Sequence, residues 1–405
     1  ADIVIDTIFT PADVEGFVFL SNQYRPNPNL SGDIVVDTID ASILTGAANG
    51  SAVVMDSRGL LGVTSTVTSS AVLGNGGNIT MLSQGDLIIA PGAEVRSRGA
   101  LGGTIALASQ ATLGVLGANI YNDSFGNLPG ATGGNINLTG QSALLDAALI
   151  QSNAFGQLNT GAINITANGT ASLINGSQVQ NLILPGAIGN SSGITINAPT
   201  VNITSGSELN SSVTFGGTGQ AGDVVINAPG GNVRFDGGFA RSRLENGGQG
   251  AGGDIRITTG SFLATGVPGN TTGQLTSATF GNGPAGDVVI NATGEVRFDG
   301  PGSDIFALVA FDRGVGDAGK IDIRGDTVVV TNGARLLSTT ESNALGNSGD
   351  IQVTANRVEV TQGGLISTQA ASNFAAGDIT IQAGAVGIRG GQITSNVFGG
   401  GQAGT

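Results

Sequence analysis

Apolar residues along this chain alternate with polar ones in short runs, and the runs return at a fixed spacing. The most regular run is a Gly-rich step followed by two apolar positions flanking a polar one: GGNITM at 76–81, GGTIAL at 102–107, AGDVVI at 221–226 and again at 285–290, AGKIDI at 318–323 and AGDITI at 376–381. Its first apolar position falls at Ile79, Ile105, Ile136, Ile163, Ile194, Val224, Ile255, Val288, Ile321, Ile351 and Ile379, a mean of 30 residues apart with single intervals of 26 to 33. SGDIVV at 31–36 reads as an earlier copy. A second apolar pair follows in each unit, as in Leu87/Ile89, Val201/Ile203, Val233/Phe235 and Val328/Val330. After a Gly turn comes a third strand of the form small-x-apolar-x-Ser, as in GAEVRS at 92–97 and GARLLS at 333–338.

Period-two alternation predicts strands, and Gly, Asn and Asp between the runs predict turns. No stretch carries the spacing of a helix of three or more turns. Three short strands per ~30 residues are too few for a propeller blade and lack the pattern of a leucine-rich repeat. They fit a coil in which each strand pairs in parallel with its counterpart one unit on, stacking Ile on Ile about 4.8 Å apart. The predicted fold is all-β, a parallel β-helix of twelve or thirteen rungs, right-handed because parallel crossovers almost always are. Residues 1–31 read as an N-terminal cap or docking arm, 32–76 as irregular first coils and 77–405 as regular coils. The final AGT stops where another Gly-Asp step is expected, so the ending reads as an interrupted solenoid.

Composition narrows the chemistry. The 405 residues include 70 Gly but no Trp, His or Cys, so Ser-His-Asp, Cys-His and Cys-ligated zinc chemistry cannot arise within the chain. A net charge of −14, with 14 Arg and the single Lys320 as the only basic side chains, argues against nucleic acid or an anionic membrane as partner. No apolar run is long enough for a membrane span.

The phrase [AS]-G-[DN]-[IV]-x-[IV], then V-x-[VI]-x-x-G-[AG]-x-[LI]-x-[ST], then a TFGxGxAGD-like return (TSATFGNGPAGDVVI at 276–290) resembles the repeats of filamentous-haemagglutinin-like exoproteins, especially the two-partner-secreted proteins of cyanobacteria. The resemblance covers about residues 77–405. It implies a β-helical rod exported through an outer-membrane secretion partner of a Gram-negative-type cell. The rod would be extracellular or on the outer cell surface, as an adhesive or structural filament meeting cell-surface or extracellular-matrix glycans and proteins. Head-to-tail self-assembly through residues 1–31 is a further expectation. NPNL, a motif of the family's secretion domain, occurs once at Asn27–Leu30, without its NPNGI companion. The chain is therefore expected to be an interior or C-terminal piece.

Three sets of residues could carry chemistry. Asp236 and Asp299 sit in the near-duplicates GNVRFDGG and GEVRFDGP, on corners two rungs apart, where two carboxylates could serve an inverting glycosidase. Asp before a turn Gly needs no catalytic explanation, and the aromatics of a sugar cleft are missing, so a non-catalytic chain is expected. Asp299, Asp304, Asp312, Asp317, Asp322 and Asp326 form an acidic run that could offer oxygens to calcium. The plainer expectation is solvated corner carboxylates, partly paired with Arg313, Lys320 and Arg324, with no metal or other cofactor. Phe125, Phe155, Phe215, Phe280 and Phe398 recur after the third strand and are expected to stack inside one corner of the core rather than form an exposed stripe.

Overall fold

A computed structural model describes residues 2–10, 16–23, 32–44, 47–266, 274–309, 314–371 and 373–405. The described residues contain strands and turns and no helix. The coil Ile163–Ala167, Thr170–Ile174, Gln178–Ile183 lies directly on the next, Ile194–Asn197, Thr200–Thr204, Glu208–Val213. All three pairings are parallel and in register: Ile163 on Ile194, Ala171 on Val201, Val179 on Leu209. Repeated about a dozen times, this makes the expected parallel β-helix, and one continuous sheet of 33 strands wraps the core.

Ile79, Ile105, Ile136, Ile163 and Ile255 are all fully buried, while the polar residues between the apolar pairs face outward. Each such side chain is worth roughly 1.5–3 kcal/mol of burial, which explains an apolar requirement at every rung. Packing is also matched in volume. Along the second strands Val233 sits on Phe262 and then Val296, while Phe235 sits on Ala264 and then Phe298. Large and small residues thus exchange columns at the middle coil, and the rings of Phe235, Phe262 and Phe298 meet at 5.9 and 5.3 Å. Three Phe in one column would have collided instead.

In several coils the Ser of the third strand has a structural task. It points inward at the corner and donates to the carbonyl of the Gly opening a first strand: Ser97 Oγ to Gly77 O at 2.7 Å, Ser242 Oγ to Gly222 O at 3.0 Å, Ser338 Oγ to Gly319 O at 3.1 Å. These bonds satisfy backbone polar groups that the corner would otherwise bury unpaired. The Asp of the Gly-Asp step behaves differently from a simple turn residue. Its carboxylate accepts the N–H of the same position one coil later, as in Asp287 N to Asp254 Oδ1 at 2.6 Å and Lys320 N to Asp287 Oδ1 at 2.8 Å. The preceding Gly lies against the carbonyl of its counterpart: a Cβ on Gly319 would stand 1.8 Å from Gly286 O. The Asn-Gly turns at Asn175 and Asn332 adopt the expected left-handed backbone, with φ of 55° at both.

Three further features appear in the structure. Within the segment expected to be a cap or arm, Ile3–Phe9 pairs with Ile34–Asp40 and Phe17–Ser21 pairs with Ala52–Ser57, so its strands stack in parallel on the first coils. Ile34 does not occupy the first-strand column: it pairs with Leu61, which pairs with Leu87, placing SGDIVV on the second-strand face. The return after the third strand also carries a narrow parallel ladder of its own. It runs Gln157–Ile188–Thr218–Gln249–Asn282–Val315–Leu345 over a small satellite core that includes Leu158, Ala187 and Leu244.

Candidate functional site

Asp236 and Asp299 take the positions anticipated for them. Both lie at the ends of second strands, on either side of Thr265 in one column. Each is already engaged: Arg234 Nη2 lies 2.7 Å from Asp236 Oδ2, and Asn332 Nδ2 donates to Asp299 Oδ1 at 2.7 Å. They stand on an outward ridge, with side chains 43 and 35% exposed.

The acidic run does not come together in space. Residues 299–326 make nearly one circuit of the coil, so neighbours in sequence point to different sides of the rod. Asp299 ends a second strand, and Asp304 is fully buried beside the next, accepting from Arg335 N at 2.9 Å and Arg335 Nη2 at 2.6 Å. Asp317 lies in the return and accepts from Asn347 N at 2.8 Å. Asp322 faces outward on a first strand, 3.1 Å from Arg324, and Asp326 accepts from Asn356 Nδ2 at 2.7 Å. Asp312 and Arg313, like Asn27–Leu30, lie outside the described residues. Among the described residues no three acidic side chains gather as a metal would need. Calcium needs six to eight oxygens around one point, and the described carboxylates of this run stand on different sides of the coil.

Comparison with protein-family models, curated proteins and solved structures finds no match.

Asp123 is fully buried, and burial lifts its carboxyl above the usual carboxylate range although Gln151 donates to it at 2.8 Å and Arg98 lies 2.9 Å away. Arg98 in turn packs over the Tyr121 ring at 4.4 Å. Asp304 is raised for the same reason, with the Arg335 hydrogen bond opposing the effect. Asp254, between Asp223 and Asp287 in the corner ladder, is raised chiefly by burial, and its two like-charged neighbours add to that.

A shallow groove of about 390 Å³ runs across the Gly-Asn corners of the N-terminal coils. Its wall is made of Asn49, Asn75, Asn78, Leu101, Thr104 and several Gly, with no titratable side chain. Such a surface offers amides and the hydroxyls of Thr104 and Thr132 for hydrogen bonding. Asn75 N donates to Asn49 Oδ1 at 2.8 Å and Leu101 N to Asn75 Oδ1 at 3.2 Å, so these amides also tie coil to coil.

The recurrent Phe residues are not a core stack. Phe125, Phe155, Phe215 and Phe398 are 48, 43, 66 and 68% exposed, and Phe280 is half-buried. The correction comes from the backbone at the corner: the inward residue comes just before Phe125 and Phe155 (Ser124, Ala154) and two before Phe215 (Val213), so the Phe itself turns out. Phe125 and Phe155 stack on the outside with centroids 4.6 Å apart. The aromatic residues that do line the core, Phe235, Phe262 and Phe298, belong to the second strands.

Proposed function

We propose that this chain is a non-catalytic structural and adhesive filament protein of the filamentous-haemagglutinin type, working outside the cell or at its outer surface after export through an outer-membrane partner. The observation that carries the reading is that the polar chemistry of the coils is used in building the rod. The corner carboxylates accept N–H groups of the next coil, and the inward serines hold corner carbonyls. Asp236, Asp299, Asp304 and Asp322 each have a neighbouring donor. What remains free for recognition is the outward face of the strands and returns, which suits adhesion to glycans or proteins. Assembly of copies end to end would lengthen such a rod by the same parallel pairing that joins its coils.

A polysaccharide-binding or polysaccharide-cleaving β-helix is the second reading, favoured by the amide-lined groove and by Asp236 and Asp299 sharing a column. The test is incubation with neutral and acidic polysaccharides, with and without calcium. No new reducing ends or unsaturated products are expected. Turnover that disappears in Asp236→Asn or Asp299→Asn would replace the filament reading with the enzymatic one.

A further inference from the structure

One corner of the N-terminal coils carries an apolar stripe. The residue just outside the third strand donates its N–H to the inward residue of the preceding coil: Val72 to Ile43 O, Phe125 to Gly99 O, Phe155 to Ser124 O and Leu184 to Ala154 O, at 2.9–3.2 Å. These bonds set Val72 over Leu44 and, in the coils that follow, Phe125, Phe155 and Leu184 in a column over Ala100; between the two groups the register slips by two residues, Ala100 N donating to Gly74 O at 2.7 Å, and the six coils span roughly 24 Å. Leu44 and Val72 are 63 and 65% exposed, and the two Phe nearly half. In the next two coils the column turns polar, at Thr214 and Glu245.

Charge sets this face apart. The seven returns at 43–50, 71–78, 99–104, 124–135, 154–162, 183–193 and 213–222 contain no Asp, Glu, Lys or Arg, in a chain of net charge −14. Two copies repel one another on most approaches but not along this line.

We propose that this stripe is a lateral interface between two copies of the chain, packed antiparallel about a twofold axis. A twofold axis between Ala100 and Phe125 sets Phe125 of one copy against Ala100 of the other and brings Phe155 and Leu184 over the segment that carries Val72 and Leu44. Exposed fractions of Leu44, Val72, Phe125 and Phe155, applied to side chains of roughly 150–200 Å², give on the order of 400 Å² of apolar surface per copy. A standard interface hides about 800 Å² per partner, of which roughly 450 Å² is apolar, so the stripe has the right size. A sugar chain is a poorer occupant. Phe125 and Phe155 stack face to face, 24° from parallel, along the column, so a ligand lying on the stripe meets ring edges and not the faces on which sugars stack.

The association is lateral and independent of whether the rod is adhesive. It is tested by sedimentation velocity over a concentration series on the wild-type chain, Val72→Asp, Phe155→Asp and the control Asn202→Asp, whose site faces outward on a second strand. Circular dichroism checks that each variant is folded. Dimers are expected for the wild type and the control, strengthened by added salt as repulsion is screened. The two stripe variants are expected to bind about 100-fold more weakly, as for a central interface residue. A wild type that stays monomeric in high salt overturns the proposal, as do folded stripe variants that dimerise like the control. Retention of monomer on a neutral glycan resin, lost in the same variants, would assign the stripe to sugar instead.

Discussion

Gly319→Ala tests the packing of the corner most sharply. An added Cβ would lie 1.8 Å from the carbonyl oxygen of Gly286 and 2.5 Å from its carbon, where real contacts of this kind essentially never fall below 3.0 Å. Both obstacles are backbone in a parallel ladder, so no side chain can rotate away. Parting the coils by about 1.2 Å would stretch the Val288 N–H bond to Lys320 O from 2.8 Å to about 4 Å, breaking it, and would strain the Lys320 N–H bond to Asp287 beside it. Overpacking together with one or two weakened hydrogen bonds amounts to about 3 kcal/mol. Gly387→Ala is the matched control: it has open space around its Cβ and an ordinary backbone, and should be neutral or stabilising by about 0.5 kcal/mol through the unfolded chain. Urea unfolding followed by far-UV circular dichroism reads both. Because stability in a solenoid is a sum over neighbouring coils, Gly319→Ala should also split the transition into two steps. A Gly319→Ala protein as stable as Gly387→Ala would refute the close-approach argument.

Other substitutions probe other parts of the rod. Ser242→Ala removes a hydroxyl that donates to Gly222 O and accepts from Gly253 N at 2.9 Å, and should cost about 2 kcal/mol in urea melts. Phe262→Ala opens a cavity between Phe235 and Phe298 and should cost about 3–4 kcal/mol, more than Phe155→Ala on the surface. Arg335→Ala strands the buried Asp304 carboxylate and should cost about 2 kcal/mol at neutral pH, discounted because Arg335 is itself 37% exposed. The Asp304 pKa is raised by burial, so its neutral form favours folding: that stability is complete below about pH 4 and is lost as pH rises through the raised value. The deficit of Arg335→Ala should therefore shrink on acidification, and Asp304→Asn in the same chain should remove the pH dependence.

Much of the architecture was legible because a parallel stack makes the same demand at every rung. Ile79 to Ile379 had to be apolar, Gly286 and Gly319 had to lack a Cβ, and the Ser of GARLLS had to reach a carbonyl. What escaped reading depends on the neighbouring coil about thirty residues away. Asp254 bonds Asp287 N–H and not its own turn, and the exchange of Phe and small residues between columns appears only in register. SGDIVV carries the wording of a first strand yet stacks under second strands, since the same alternation suits either face. Phe125 and Phe155 follow a small inward residue, and a shift of one position at the corner sends them out. The acidic run from Asp299 to Asp326 looked like a cluster because proximity in sequence was read as proximity in space, which a coil undoes.

The central claim, that these coils form part of a filament displayed outside the cell, is tested most directly by immunogold electron microscopy of the producing cells with antibody raised against this chain. Gold along thin fibres or on the outer face of the outer membrane is the predicted result. Label confined to the cell interior would contradict it.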